Sequence, residues 1–185
     1  MPQTVKNLKF LYTNADTLTN KVSALATTAS KEKPDIICIV EALPKNQHSD
    51  SYNAVLKLQG YLLLNNFDSP TAHRGIAIYL RNGIRSSPIQ IDNPESEHLA
   101  CQVETNHGPV GVIAMYRSPS HNNHQMILND LNKFAALKYK HIIITGDFNY
   151  PHLKWLKGSG NTHSSEQVTR PDAEFAHLIA DKYWL

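Results

Sequence analysis

The segment His141–Trp155, HIIITGDFNYPHLKW, decides the fold because it predicts a buried strand that ends on polar residues. Three isoleucines and a threonine lead into Gly146, and Asp147 and Asn149 follow before the chain meets a proline. A short apolar run rich in β-branched residues is typical of a strand inside a sheet. The polar residues after it could form an ordinary turn, or they could belong to a site at the rim of the sheet.

Other predicted strands also end on polar side chains, namely Asn14, Glu41, and the pair Tyr116 and Arg117. Polar groups that follow buried strands tend to gather at one rim, where ligands bind. The carboxylates of Glu41 and Asp147, with nearby amides, would form an oxygen-rich cluster that suits Mg²⁺ or Mn²⁺. Each residue also has a simpler explanation, since Asn14 could only end its strand and Tyr116 could only pack. Glu41 is harder to explain so, because a charge after five apolar residues needs solvent, a partner or a metal.

The remaining pattern predicts strands and helices around this rim. A strand over 8–16 is followed by a helix with Asp16 or Thr17 as N-cap, which ends at Lys33-Pro34. Residues 35–43 predict a strand buried on both faces, and the middle of the chain predicts an antiparallel meander. A helix lies within 118–140, residues 156–169 are polar and predict a loop, and Pro171 opens a last helix. We therefore expect an α+β fold, a two-layer β-sandwich flanked by helices, as a single domain over 1–185.

Composition narrows the class of protein. The chain has 185 residues, 41% of them hydrophobic and 18% charged, which is typical of a globular domain. No apolar run approaches the length of a membrane span and no signal-peptide pattern opens the chain, so we expect an intracellular protein, nuclear or cytoplasmic and not secreted. A net charge of +2 does not by itself predict nucleic-acid binding. Cys38 and Cys101 are expected to be buried free thiols.

Five segments together resemble a known family: YTNADTLTNKVSAL, PDIICIVEAL, RGIAIYLRNGI, GVIAMYRSP and HIIITGDFNYPHLKW. In this order they are similar to the endonuclease/exonuclease/phosphatase family. More narrowly, they resemble the endonuclease domains that precede reverse transcriptases in LINE-type (non-LTR) retrotransposons. The resemblance covers essentially the whole chain. It implies a deoxyribonuclease-like β-sandwich and metal-dependent hydrolysis of phosphodiesters, most simply the nicking of DNA.

The resemblance also implies a role for each matched residue. Glu41 would be the metal carboxylate and Asn14 an amide in the ligand shell, with Mg²⁺ or Mn²⁺ as the ion. Tyr116 would donate a hydrogen bond to the scissile phosphate. Asp147 would hold or deprotonate the attacking water, and Asn149 would help to position it. Arg117 is a further candidate for a neighbouring phosphate, because a guanidinium matches phosphate geometry.

The chain departs from the family pattern at its C-terminal end. Family members continue into further strands that carry an aspartate and a Ser-Asp-His or similar sequence, whereas this sequence reaches DKYWL without one. The resemblance therefore predicts a C-terminally truncated domain that lacks its last strands. Since catalytic groups act as a unit, we expect this length of chain to be weak or inactive.

Two other functions remain open from the sequence. One is a catalytically dead remnant that binds nucleic acid or protein, and the other is a family phosphatase that acts on another phosphoester. As partners, the resemblance implies a DNA substrate and a covalently linked reverse transcriptase in the full-length product, with no membrane. A nucleotide-binding α/β domain is disfavoured because neither GxGxxG nor GxxxxGK[ST] occurs.

Overall fold

The computed structural model describes residues 7–45, 47, 49, 51–69, 72–91, 96–119, 123–155, 162–164 and 169–183. The chain divides into two compact units. The first comprises Met1–Tyr116 with Tyr139–Asp147, and the second comprises Arg117–Lys138 with Phe148–Leu185. The first unit holds two four-stranded sheets, and the second holds two helices and a short two-stranded sheet.

The elements follow one another along the chain as β1 (Phe10–Asn14), α1 (Val22–Glu32), β2 (Ile36–Val40), α2 (Ser51–Val55), β3 (Tyr61–Asn65), β4 (Ile76–Arg81), β5 (Ser86–Ile89), β6 (Glu97–Thr105), β7 (Gly108–Tyr116), α3 (His124–Ala136), β8 (His141–Asp147), β9 (Leu153–Trp155), β10 (Thr162–Ser164) and α4 (Arg170–Lys182).

Both large sheets of the first unit are mixed. The first has the order β1-β2-β4-β3, in which β1 and β2 are parallel and the other pairs are antiparallel. The second has the order β5-β6-β7-β8, in which only β7 and β8 are parallel. One apolar layer joins side chains of the two sheets, among them Cys38, Ile78, Cys101 and Val112. The predicted two-layer β-sandwich is therefore confirmed.

A second apolar layer covers the other face of the first sheet. Leu25 and Ala29 of α1 are buried there together with Ile37, Ile39 and other side chains of the sheet. Every residue of β2 is buried, as the sequence predicted for a strand covered on both faces. This double burial explains why the strand is an almost uninterrupted apolar run, since neither face meets water.

The predicted start of α1 was wrong. Neither Asp16 nor Thr17 caps the helix, which begins at Val22 after Lys21 without a side-chain capping bond. Residues 15–18 instead continue beside β2 and the residues after it. The backbone amides of Ala15 and Thr17 donate to the backbone carbonyls of Val40 and Glu41 at 2.9 and 2.8 Å. The predicted end at Lys33-Pro34 is confirmed, since Lys33 is a left-handed C-cap.

In the second unit, α4 begins with a capping box between Thr169 and Asp172, and a proline stands in its first turn as predicted. The helix α3 is shorter than the segment that predicted it and ends at Ala136. Residues 162–164 form the strand β10 beside β9, where the sequence predicted a loop. Such short polar strands carry no hydrophobic periodicity and depend on a distant backbone partner. The rest of the predicted loop, 156–161 and 165–168, lies outside the described residues.

Two smaller expectations can be compared with the structure. Cys38 and Cys101 are buried free thiols, as predicted. Among the helices of the described part of the chain, none combines the length and the apolar character of a membrane span.

Candidate active site

The parallel strands β1 and β2 bring Asn14 and Glu41 together at one rim of the first sheet. Their register pairs Asn14 with Val40, so Glu41 is the first residue past the strand end. The Nδ2 atom of Asn14 donates to Glu41 Oε1 at 2.7 Å. Glu41 has a φ of 53°, in the left-handed region that non-glycine residues seldom adopt. Strain of this kind is common at functional sites, so it favours a role for Glu41 beyond packing.

Asp147 reaches the same amide from the second sheet. The Nδ2 atom of Asn14 donates to Asp147 Oδ2 at 3.0 Å, although the two residues are 133 positions apart in the sequence. The other end of the amide, Oδ1, accepts the backbone N–H of Asp16 at 3.0 Å. This bond fixes the orientation of the amide, so that its NH₂ group faces the carboxylates. One side chain therefore holds two carboxylates at the point where the two sheets meet.

Gly146 allows Asp147 to take its place beside β7. Gly146 has a φ of 149° and pairs with Met115 in the parallel register of β7 and β8. A Cβ atom at this position would lie 2.0 Å from the Met115 carbonyl oxygen, far inside van der Waals contact. Only glycine fits so close to a neighbouring backbone. The glycine of the GDFN segment is therefore a steric requirement of the strand end.

Arg74 adds a positive charge to this rim. Its Nη2 atom lies 2.5 Å from Glu41 Oε2 and 2.6 Å from Asp16 Oδ1. The side chains of Arg74 and Glu41 are only 14% and 15% exposed, whereas that of Asp16 is 83% exposed. The pair with Glu41 is thus poorly screened by solvent, while the pair with Asp16 is a weak surface contact.

Glu97 holds the backbone that carries Arg74. This carboxylate is buried and accepts the backbone N–H groups of His73 and Arg74 at 3.1 and 3.0 Å. Burial raises the pKa of Glu97 to about 7, even though these backbone donors and the Arg74 charge favour the ionised form. Glu97 also pairs in register with Tyr116, the last residue of β7.

Two tyrosines stand near the carboxylates. Burial, followed by the charge of Glu41, raises the pKa of the Tyr116 phenol to about 12. Burial, followed by the charges of Asp147 and Glu41, raises the pKa of Tyr12 to about 12 as well. Tyr12 lies in β1, is about two-thirds covered with 36% of its surface exposed, and shares a strand face with Asn14, since alternate residues point the same way. Both phenols therefore remain protonated at neutral pH and can act only as hydrogen-bond donors or neutral acceptors.

The second unit contains the two other predicted site residues, Asn149 and Arg117. The Asn149 Nδ2 donates to the Arg117 carbonyl oxygen at 2.6 Å, and Arg117 Nη1 donates back to the Asn149 carbonyl at 2.8 Å. The Arg117 guanidinium also lies 4.5 Å from the centre of the Tyr150 ring. Asn149 itself is left-handed, with a φ of 49°. The predicted phosphate contact of Arg117 thus has a competing set of partners within its own unit.

Comparison with known families identifies the chain. The model of the Endonuclease/Exonuclease/phosphatase family matches residues 7–180, nearly the whole sequence. The chain belongs to this family. No curated protein sequence matches it. The family comprises hydrolytic nucleases and phosphatases, and the polar rim of this family member lies where its parallel strands end.

Solved structures agree with the fold of this family member. The endonuclease domain of TRAS1, a telomere-specific non-LTR retrotransposon, is similar with a TM-score of 0.64 and 11% identity, over 95% of this chain and 70% of that one. The AP endonuclease LMAP from Leishmania major has a TM-score of 0.63 and 14% identity, over 98% and 72%. A 3′ phosphatase from Neisseria bound to a product DNA hairpin has a TM-score of 0.56 and 18% identity, over 79% and 59%.

The donor set of the rim fits a divalent metal, which nucleases of the family generally use. Glu41 and Asp147 offer carboxylate oxygens around one amide nitrogen, and Mg²⁺ commonly binds through one or two carboxylates with waters and substrate phosphate. Within the described residues, no group of three or more His, Cys, Asp or Glu side chains could hold a metal. Among the described residues, the oxygen donors that this rim offers to an ion are the carboxylates of Glu41 and Asp147.

Sequence reasoning missed Arg74, Glu97 and Tyr12. Arg74 precedes β4 and Glu97 opens β6, so both stand at strand beginnings rather than strand ends. Because β4 and β6 run antiparallel to β2 and β7, their beginnings meet the ends of those strands. The sequence contains a usable signal for both residues, a charge at the start of a strand predicted to be antiparallel. Tyr12 could have been found from its two-residue spacing to Asn14.

Proposed function

We propose that this chain hydrolyses phosphodiester bonds of DNA with the help of Mg²⁺ or Mn²⁺, as a nicking endonuclease of a non-LTR retrotransposon. The observation that carries the proposal is the single amide of Asn14, which donates to both Glu41 and Asp147. A carboxylate for a metal and a carboxylate for water, held side by side, are what metal-assisted hydrolysis requires. Similarity to the retrotransposon endonuclease domain supports DNA as the substrate.

Each side chain of the rim would have its own role in the hydrolysis. Glu41, with Asp147 beside it, would hold the ion, which when bound would supply positive charge to the phosphate oxygens. Asp147 would orient the attacking water or accept its proton, with Asn149 helping to position that water. The Tyr116 phenol, with a pKa raised to about 12, would donate a hydrogen bond to the phosphate, where negative charge develops in the transition state.

The biological setting belongs to the same proposal. An endonuclease of a non-LTR element would work beside a covalently linked reverse transcriptase and would meet its DNA inside the cell, in the nucleus or the cytoplasm. The structure that holds a DNA hairpin is of a 3′ phosphatase, which keeps phosphatase action on another phosphoester as the second candidate.

The test is the nicking of supercoiled plasmid with Mg²⁺ or Mn²⁺ at protein excess, so that weak turnover is visible. We expect open-circle product that EDTA abolishes and that Asp147→Ala and Glu41→Gln each reduce about 10²- to 10⁴-fold. Glu32→Gln is the matched control, because Glu32 is an exposed carboxylate that pairs with Lys9 just before β1, at the end of that strand away from Asn14, and its loss should leave the rate unchanged.

Two parallel measurements separate the alternatives. Phosphate release from a 3′-phosphorylated oligonucleotide without plasmid nicking would favour the phosphatase. A thermal shift with Mn²⁺ reports metal binding even when turnover is slow, since a ligand of the native state stabilises it. If the parent chain shows neither nicking nor a Mn²⁺ shift, the active-site assignment is wrong and the remnant that only binds nucleic acid or protein is favoured.

A further inference from the structure

Arg74 and a divalent cation bound at the rim would both contact the carboxylate of Glu41. Arg74 Nη2 lies 2.5 Å from Glu41 Oε2, and Asn14 Nδ2 occupies Oε1 of the same group. Both Glu41 oxygens therefore have donors, and one of these donors is fully charged. A cation already beside a carboxylate lowers the affinity of that carboxylate for a second cation, most strongly where solvent screens little. Here the side chains of Arg74 and Glu41 are only 14% and 15% exposed, so solvent screens the pair little.

The backbone of Arg74 is fixed, so a change of partner must occur in its side chain. Glu97 accepts the Arg74 backbone N–H at 3.0 Å, and the Arg74 carbonyl accepts the Leu43 amide at 2.7 Å. The Ala42 amide donates to Gly75 at 3.0 Å, next along the chain. These bonds tie residues 74 and 75 to the segment after Glu41. The guanidinium can therefore change partners without moving away from the rim.

The Arg74 guanidinium also has N–H groups that take no part in its two ion pairs. Both of its ion pairs use Nη2, and its Nε is buried without a hydrogen bond among the described residues. A buried donor without an acceptor is unfavourable, so an arrangement that gives Nε an acceptor is preferred once one arrives. The oxygens of a phosphodiester are such acceptors, and a guanidinium binds them through two parallel N–H groups. The second partner, Asp16, is exposed and holds Arg74 only weakly.

We propose that Arg74 is a phosphate-binding residue of the substrate site which, without metal, neutralises Glu41 and competes with the divalent cation for it. This inference rests on the proposed function, because it needs Glu41 as a metal ligand. Arg74 then has two opposite effects: it weakens metal binding to the free protein and strengthens binding of DNA to the metal-loaded protein. A residue that only supports the fold would weaken both.

The test compares Arg74→Gln with Arg85→Gln, an exposed arginine of the same unit whose loss changes the net charge equally. Mn²⁺ binding is measured without DNA from the paramagnetic resonance of the free ion. DNA binding is measured by anisotropy with a phosphorothioate-protected duplex, once with Mn²⁺ and once with EDTA. For Arg74→Gln we expect Mn²⁺ to bind about tenfold more tightly. We also expect DNA to bind about tenfold more weakly in the presence of Mn²⁺, and with unchanged affinity in EDTA. Arg85→Gln should change neither by more than about twofold.

A second variant separates charge from shape. Arg74→Lys keeps the positive charge but lacks the fork of donors, so Mn²⁺ affinity should stay near that of the parent while DNA affinity falls. This variant also serves if Arg74→Gln does not fold. Weaker Mn²⁺ binding in Arg74→Gln, or an equal loss of DNA affinity with and without Mn²⁺, would overturn the proposal.

Glu41→Gln distinguishes this proposal from the proposed function. Loss of Mn²⁺ binding in Glu41→Gln, with no tightening in Arg74→Gln, overturns the competition and leaves the metal site standing. Unchanged Mn²⁺ binding in Glu41→Gln overturns both, because the ion then does not use the carboxylate that Arg74 holds.

Discussion

Gly146 shows how a single residue decides the position of a catalytic candidate. Its missing Cβ lets β8 approach β7 so closely that a methyl group would lie 2.0 Å from the Met115 carbonyl oxygen. Asp147 follows directly and contacts Asn14. The GDFN segment therefore contains both the candidate catalytic residue, Asp147, and the glycine that allows it to lie beside β7.

Gly146→Ala should consequently destabilise the fold and displace Asp147. We expect a loss of about 3 kcal/mol or more, the sum of backbone strain and steric overlap, and a fall in Tm of about 6 to 12 °C. Urea denaturation and a thermal melt measure both quantities. Gly83→Ala is a useful contrast, because Gly83 also has a positive φ but a Cβ there would meet no atom within 4 Å. Equal losses in the two variants would mean that the contact with Met115 is not what matters.

Glu97 makes stability depend on pH. Burial raises its pKa to about 7 in the folded chain, above the value near 4.5 of an exposed glutamate. The native state therefore binds more protons than the unfolded state between these values, and stability falls as the pH rises from about 4.5 to about 7. Above that range the loss from Glu97 is complete, and below it the loss is absent.

Glu97→Gln should remove this dependence. The amide cannot ionise, so the parent should lose about 3 kcal/mol relative to the variant between pH 4.5 and pH 8. Urea denaturation of both proteins at a series of pH values gives the difference directly. A constant offset between them is expected from the altered hydrogen bonds to His73 and Arg74, and only the change with pH is diagnostic. Parallel profiles would show that Glu97 titrates near its ordinary value.

At the scale of elements, tertiary pairing decides where α1 begins, whereas a local cap accompanies the start of α4. The segment after β1 illustrates the first case. Asp16 and Thr17 have side chains that suit a helix N-cap, yet residues 15–18 follow β2 instead because the backbone of residues 40–42 offers hydrogen-bond acceptors. Tertiary pairing therefore outweighed a local preference, and the helix began later.

The start of α4 is the opposite case, where the local signal is sufficient. Thr169 accepts a bond from the Asp172 amide, and the Asp172 carboxylate accepts one from the Thr169 backbone. Thr169→Ala should destabilise the chain by about 1 kcal/mol through the loss of this cap. Thr169→Ser, which keeps the hydroxyl, should restore most of that stability. Urea denaturation followed by circular dichroism measures both, and equal effects of the two substitutions would contradict a capping role.

At the scale of the whole molecule, the net charge bears on the proposed binding of DNA. A net charge of +2 is small for a nucleic-acid-binding protein, so affinity should come from a few contacts at the rim rather than from an extended basic surface.

The dependence of DNA affinity on salt tests this view. Each neutralised phosphate contributes about −0.9 to the slope of log K against log salt concentration, so two or three contacts predict a slope of about −2 to −3. Anisotropy titrations of a labelled duplex at several NaCl concentrations give the slope. A slope of about −6 or steeper would indicate a wide basic interface and contradict the small one expected here.

The sequence predicted that β8 is buried, but in the structure only its Thr145 is buried and the rest of the strand is partly exposed. By itself the sequence determined that β2 is buried on both faces, which polar residues end the strands and which family the chain resembles. These properties depend on composition and periodicity within short segments, and the family model and the sandwich confirm them. Only the tertiary structure decided that one amide holds Glu41 and Asp147, and that Arg74 and Glu97 belong to the same rim. The physical reason is that strand register and antiparallel pairing join residues far apart in the chain. No local pattern carries that pairing, because it arises when the two sheets pack.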